Sequence, residues 1–196
     1  LFEKLHTATH LRFHLSLIDA LINTGTFSVR DVSVAISDIR IMEAIIEKKS
    51  LPREEIGRAT QDPLFSTFSR YSISVPETVE QVSDIPTDVA TRYGFGKSCA
   101  FLALMQEHVV SVLRAEFPHI RFYFDLNRIA GIGYYTHLYF KITATNEQND
   151  RYPICDGGMV DWTQKFLSQG KERLLASAIG SELFIRVFSL QQKKGE

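Results

Sequence analysis

Three histidines, His6, His10 and His14, follow one another at four-residue steps, so on a helix their imidazoles share one face. Two imidazoles so spaced can hold zinc, and a glutamate between them would supply the base of a metalloprotease. The spacer Thr7-Ala8-Thr9 has no glutamate, and no acidic or cysteine ligand completes the set. Leu17 and Leu21 extend the same face, which predicts a packed or subunit-facing stripe and no metal. Gly94-Phe-Gly-Lys-Ser98 has the ending of a phosphate-binding loop, but Thr91 stands where that loop needs its first glycine. Ser83–Tyr93 carries Pro86 and no apolar run to lead in as a strand, so the expectation is a glycine hinge and a helix start at Lys97 or Ser98. Cys99 sits in an apolar helical stretch, where a thiol is inert packing. No Gly-x-Ser-x-Gly nucleophile turn occurs, and Asp156 with Asp161 is a carboxylate pair on spacing alone.

The elements that must position these groups follow from periodicity. Leu11, Leu15, Ile18 and Ile22 predict an amphipathic helix over His6–Asn23, with Gly25 placed to cap it. Val32, Val34 and Ile36 alternate with Asp31, Ser33 and Ala35, which predicts a half-buried strand. Ser37 or Asp38 can cap the next helix, which carries Ile41, Met42, Ile45 and Ile46 and ends on Lys48 and Lys49. Residues 51–95 show no clear period and hold Pro52, Pro63, Pro76 and Pro86, so they read as a loosely helical insertion. A helix over Lys97–Glu116, with Phe101, Leu102, Met105, Val109, Val112 and Leu113 on its inner side, stops before Pro118. Strands are predicted over Ile120–Leu126, along Tyr134–Ile142, at Tyr152–Cys155 up to a break at Gly157 and Gly158, and at Leu174–Ile179. Helices are predicted over Asp161–Gln169 and Ser181–Gln192, with a polar tail from Gln191 to Glu196. This succession predicts an α+β fold, an antiparallel sheet flanked by helices.

Composition narrows the function classes. The 196 residues are 44% apolar with a formal net charge of −1, enough to bury a core and no footprint for a nucleic-acid backbone. The longest apolar run, Cys99–Met105, is far short of a membrane span. Two cysteines, Cys99 and Cys155, are too few for a disulfide framework and fit a reducing cytoplasm. No signal-peptide pattern precedes the first helix. The chain opens on Leu1 rather than a methionine, which predicts a trimmed chain or a fragment.

The most specific stretch is Phe124-Asp-Leu-Asn-Arg-Ile-Ala-Gly-Ile-Gly-Tyr-Tyr-Thr-His-Leu-Tyr-Phe140, followed by Asp156-Gly-Gly-Met-Val-Asp161 and Ala178-Ile-Gly-Ser-Glu182. This ordered trio resembles the second half of the class II histidyl-tRNA synthetase catalytic fold. It is more similar still to that fold's catalytically silent relative, the ATP phosphoribosyltransferase regulatory subunit. The synthetase segments read Arg-Gly-Leu-Asp-Tyr-Tyr-Thr-Gly, Gly-Gly-Arg-Tyr-Asp and Ile-Gly-x-Glu-Arg. The resemblance covers Ile120–Phe188, extends by element order over Leu1–Lys49, and is absent over the insertion. It implies a synthetase-like core at 1–50 and 96–190 that lacks the first motifs of the fold, with 51–95 inserted and 191–196 a tail.

The departures matter as much. The synthetase's catalytic arginine falls on Ala130, its aspartate on Gly133, and the last arginine on Leu183. His137 replaces a glycine, Lys141 a glutamate, and Met159 and Val160 an arginine and a tyrosine. Planar, permanently charged forks are hard to replace in such chemistry. The resemblance therefore implies a non-catalytic, cytoplasmic regulatory subunit that binds and activates a short-form ATP phosphoribosyltransferase. It implies self-association, as a dimer or hetero-octamer, histidine as an effector, and neither cofactor nor metal. The pocket it implies is Tyr134, Tyr135, Thr136, Gly157 and Gly158, with His137 and Lys141 intruding. Two alternatives remain: a fragment or paralogue of histidyl-tRNA synthetase, and a stand-alone domain whose histidine face binds a metal or a partner.

Overall fold

The structure is a computed structural model that describes residues 2–52, 67–167 and 173–190. The tail from Gln191, the predicted helix ends at Gln169 and Gln192, and residues 53–66 of the insertion lie outside the described residues. Helix α1 (Phe2–Asn23) leads into β1 (Arg30–Asp38) and α2 (Ile39–Lys49). A single turn α3 (Thr67–Arg70), a two-residue strand β2 (Thr78–Val79) and α4 (Thr87–Tyr93) follow. Helix α5 (Gly96–Met105) runs through a π-helical stretch (Gln106–Val110) into α6 (Ser111–Glu116). Then come β3 (Arg121–Asp125), β4 (Leu138–Thr145), β5 (Arg151–Val160), α7 (Trp162–Leu167), β6 (Leu174–Ile179) and α8 (Ser181–Phe188). The six strands form one mixed sheet in the order β2-β3-β1-β4-β5-β6, and the fold is α+β. Every pair is antiparallel except β1 with β3.

The two faces of this sheet differ. Val34 pairs in register with Phe122 and Ile142, and Ile36 with Phe124 and Phe140, so one face is apolar and carries the helices. The other face presents Ser33, Ala35 and Ser37 on β1 beside Tyr123 on β3 and Lys141 and Thr143 on β4. Strand β1 is thus buried over all of Val32–Asp38 and not half-buried as its alternation predicts. It lies between β3 and β4, and its small outward residues are roofed by longer side chains from those neighbours.

Two further differences have plain causes. Gly157 and Gly158 do not break β5, which pairs through both of them with β4 and β6. Neither has positive φ; each is a glycine because a Cβ would have no room. Val112, predicted on the inner side of its helix, is 42% exposed, because the π turn shifts the helical phase just before it. Residues 67–95 are more than helical: they add β2 to the sheet edge and send Ile73, Val75, Val82, Ile85 and Val89 into the common core.

Helix α1 packs Leu11, Leu15 and Ile18 into the core, and the histidine face lies against β6. His10 Nδ1 and His14 Nε2 meet the same Ser177 hydroxyl at 2.7 and 2.9 Å, while His6 stacks on Phe2. Among the described residues no group of three histidine, cysteine or acidic side chains could hold a metal ion. Burial lowers the pKa of both His10 and His14, with a smaller contribution from the neighbouring histidine. A folded pKa below the unfolded value of about 6.5 means the folded state resists the proton, so stability is complete above that pH and falls as pH drops through it. Denaturant midpoints should therefore fall between pH 7.5 and 5.5, and His10→Gln with His14→Gln should flatten that slope. An equal slope in the double variant would refute the assignment.

Candidate functional site

The polar face of the sheet floors an open cleft of about 700 Å³ whose walls include Tyr123, Arg128, Tyr139, Lys141, Arg151 and Asp156. Strand β4 sets its axis, because Tyr139, Lys141 and Thr143 are two residues apart and project from one side. At one end, the Arg128 guanidinium lies 4.0 Å over the Tyr139 ring. It donates to the Tyr139 hydroxyl at 2.7 Å and to the Ala130 carbonyl at 2.8 Å. At the other end, Arg151 donates to the Thr143 hydroxyl at 2.9 and 3.0 Å and also to Ser33. Ser33 and Thr143 are buried and hydrogen-bonded to each other at 2.9 Å, so they hold the guanidinium from beneath.

Lys141 stands between the two arginines, opposite Asp156 in the β4–β5 register. Burial lowers its pKa first, and the Arg128 charge adds to that, so the ammonium is easier to deprotonate than a surface lysine. Asp125 ends β3 and accepts from the Asn127 amide at 3.1 Å. Burial raises its pKa although Lys141 and Arg128 pull it down, which moves this carboxyl toward neutrality. Burial likewise pushes the Tyr135 hydroxyl up to about 12, so it stays protonated and acts as a donor. Its nearest acceptor is Asp156, at 3.5 Å.

The residues singled out in the sequence divide between the faces. Gly131 and Gly133, at φ of +93° and +84°, curl the chain before β4, so Tyr134–His137 form a loop and not the start of the strand. That curl lays the Tyr135 ring over Gly158, where a built Cβ would lie 2.5 Å from the ring. Thr136 donates its amide to the Met159 carbonyl at 2.8 Å and closes the loop onto β5. Tyr134 is half exposed and stacks edge-on against Tyr135 and Trp162. Gly157 faces the helix side beneath Ser177 and Phe140, away from the cleft. His137 also faces the helices, 3.4 Å from Glu3 and against the Phe101 ring, whereas Lys141 is in the cleft. Gly94 caps α4 in the left-handed region and Gly96 opens α5, so that segment is a helix–helix turn. Burial raises the pKa of the Cys99 thiol, as expected for inert packing.

Sequence reasoning missed Tyr123, Arg128, Thr143 and Arg151. The available signal for Tyr123 and Thr143 was the polar half of β3 and β4, since alternate residues of a strand share one face. Arg128 follows β3 and Arg151 opens β5, outside that alternation.

Comparison with models of protein families gives no match, and comparison with curated proteins gives none. Among solved structures, the apo histidyl-tRNA synthetase of S. aureus is similar over 88% of this chain, at 16% identity and a TM-score of 0.47. An ATP phosphoribosyltransferase regulatory subunit/histidyl-tRNA synthetase from Bacillus halodurans is similar over 82%, at 17% identity and a TM-score of 0.43. The chain spans 41% and 44% of the lengths of these two proteins. No helix among the described residues is long and apolar enough to cross a membrane.

Proposed function

We propose that this chain is a catalytically silent, class II synthetase-like regulatory subunit that binds a short-form ATP phosphoribosyltransferase and raises its turnover. The observation that carries the reading is the interlock of the motifs: the Tyr135 ring occupies the space over Gly158, and Thr136 is bonded to Met159. Asp156 pairs with Ala178 in the β5–β6 register, so the three short motifs whose order carries the sequence resemblance adjoin one another on neighbouring segments. Ala130, Gly133 and Leu183 stand where the resemblance expects charged catalytic groups. Arg128, the cation nearest to Ala130 in sequence, is occupied with the Tyr139 ring and hydroxyl. The reading includes assembly with the transferase, as a dimer or hetero-octamer, in the cytoplasm, with histidine as effector and no cofactor or metal. Histidine would reach Tyr134, Tyr135, Thr136 and Gly158, with Gly157 acting only as a spacer beneath β5.

A second reading, a fragment or paralogue of histidyl-tRNA synthetase, draws support from Arg128 and Arg151, which return cations to the cleft from other positions. One pair of assays separates the two. Added to a short-form ATP phosphoribosyltransferase, the chain should raise turnover several-fold, and it should give no histidine-dependent pyrophosphate exchange from ATP. Exchange above a heat-killed control, scaling with protein, would overturn the regulatory reading in favour of the second.

A further inference from the structure

Arg128, Lys141 and Arg151 come to the cleft from three segments, and among the described residues no carboxylate lies within 4.0 Å of any of them. We propose that the end of this cleft beside Thr143 binds a phosphoryl group, seated on the Arg151 guanidinium and the Lys141 ammonium. This goes beyond the regulatory reading and does not rest on it, since the site lies at the opposite end from Tyr135 and Gly158.

The argument begins with how Arg151 is held. Its Nε and Nη2 are fixed by the buried hydroxyls of Thr143 and Ser33. These are neutral partners, so the guanidinium is oriented without being neutralised. A fork already oriented loses little freedom when it meets an oxyanion, and such bonds are the strong, charge-assisted kind. Lys141, one step along β4 on the same side, supplies a second cation, and the Tyr123 hydroxyl adjoins Ser33 across β1. Arg128 adds positive potential from the far end of the cleft.

Charge balance selects the ligand. The carboxylates facing this group are Asp125 from β3 and Asp156 from β5. Three cations face these two carboxylates, so the cleft is net positive before any ligand enters. A compact dianion can pair with the Arg151 guanidinium and the Lys141 ammonium at once, whereas a monocarboxylate carries charge for one of them. A tetrahedral phosphoryl group also has enough oxygens to face a guanidinium and an ammonium together.

The test is calorimetric titration of the folded chain with inorganic phosphate and, separately, with glycerol 3-phosphate, at pH 7.5 and constant ionic strength. Saturable binding of either phosphoryl compound is expected, with free phosphate the preferred source if the ester binds more weakly. Arg151→Gln and Lys141→Gln should each weaken it by about tenfold, the loss of one charge-assisted bond. Arg92→Gln, in an exposed helical pair elsewhere, should leave it unchanged. Lys141 makes no hydrogen bond among the described residues, so its variant decides the matter if Arg151→Gln fails to fold. Absence of saturable heat up to about 10 mM, far weaker than any useful site, would overturn the proposal. So would wild-type affinity in the Lys141 variant, or succinate binding as tightly as phosphate.

Discussion

Alanine at position 158 is expected to destabilise the protein by about 3 kcal/mol, the upper end of what one added methyl costs in a packed interior. Its Cβ would overlap the Leu138 carbonyl oxygen and lie 2.5 and 2.9 Å from Cδ1 and Cε1 of Tyr135. Tyr135 can turn aside, but the carbonyl belongs to the backbone of β4, which is paired to β5 from Tyr139 onward. The strands must separate locally for the methyl to fit. For a domain of this size the loss corresponds to a fall in Tm of roughly 6–12 °C. Two comparisons make the cause specific. Gly25→Ala, with no atom within 4 Å of its Cβ and only its φ of +68° to strain it, should cost about 1 kcal/mol. Adding Tyr135→Ala to Gly158→Ala should not restore stability, because the carbonyl overlap persists. A Tm within about 2 °C of wild type, less than 1 kcal/mol at this size, would show that β4 and β5 have more slack than their register implies.

Position 158 also shows where sequence reasoning stops. Glycine ordinarily signals a turn, and the pair Gly157–Gly158 reads as the end of a strand. What requires glycine here is contact from opposite sides, Phe140 and Ser177 on one face and Tyr135 on the other, and those neighbours are distant in sequence. Elements defined by their own periodicity were legible: α1 through Leu11, Leu15 and Ile18, β3 through Phe122 and Phe124, and β6 close to its observed bounds. The half-buried status of β1 was misread because burial of its second face depends on β3 and β4. Likewise the Tyr134–Tyr135 segment and Lys141 were legible as chemically distinctive, but the two arginines of the cleft were not. Arg128, Lys141 and Arg151 become neighbours only through strand register, and spacing along the chain contains no trace of that.

The ion pair at the start of α2 should respond asymmetrically to loss of its two members. The Asp38 side chain is fully buried, caps α2 by accepting from the Arg40 amide at 3.1 Å, and takes the Arg40 guanidinium at 2.7, 2.9 and 3.2 Å. The Arg40 side chain is 43% exposed and also lies against the Phe101 ring. Asp38→Ala therefore removes a helix cap worth about 1 kcal/mol and frees a guanidinium that can turn to water. Arg40→Met leaves a carboxylate shut inside with one amide as partner, and breaking a buried pair that way costs about 3 kcal/mol. Urea unfolding should thus rank Arg40→Met below Asp38→Ala, although charge and size alone would predict similar effects. Combining Arg40→Met with Asp38→Asn should recover part of the loss, because the amide keeps an oxygen for the cap and buries no charge. Equal midpoints for the two single variants would mean that water reaches Asp38 in solution, and the asymmetry argued from its burial would then be wrong.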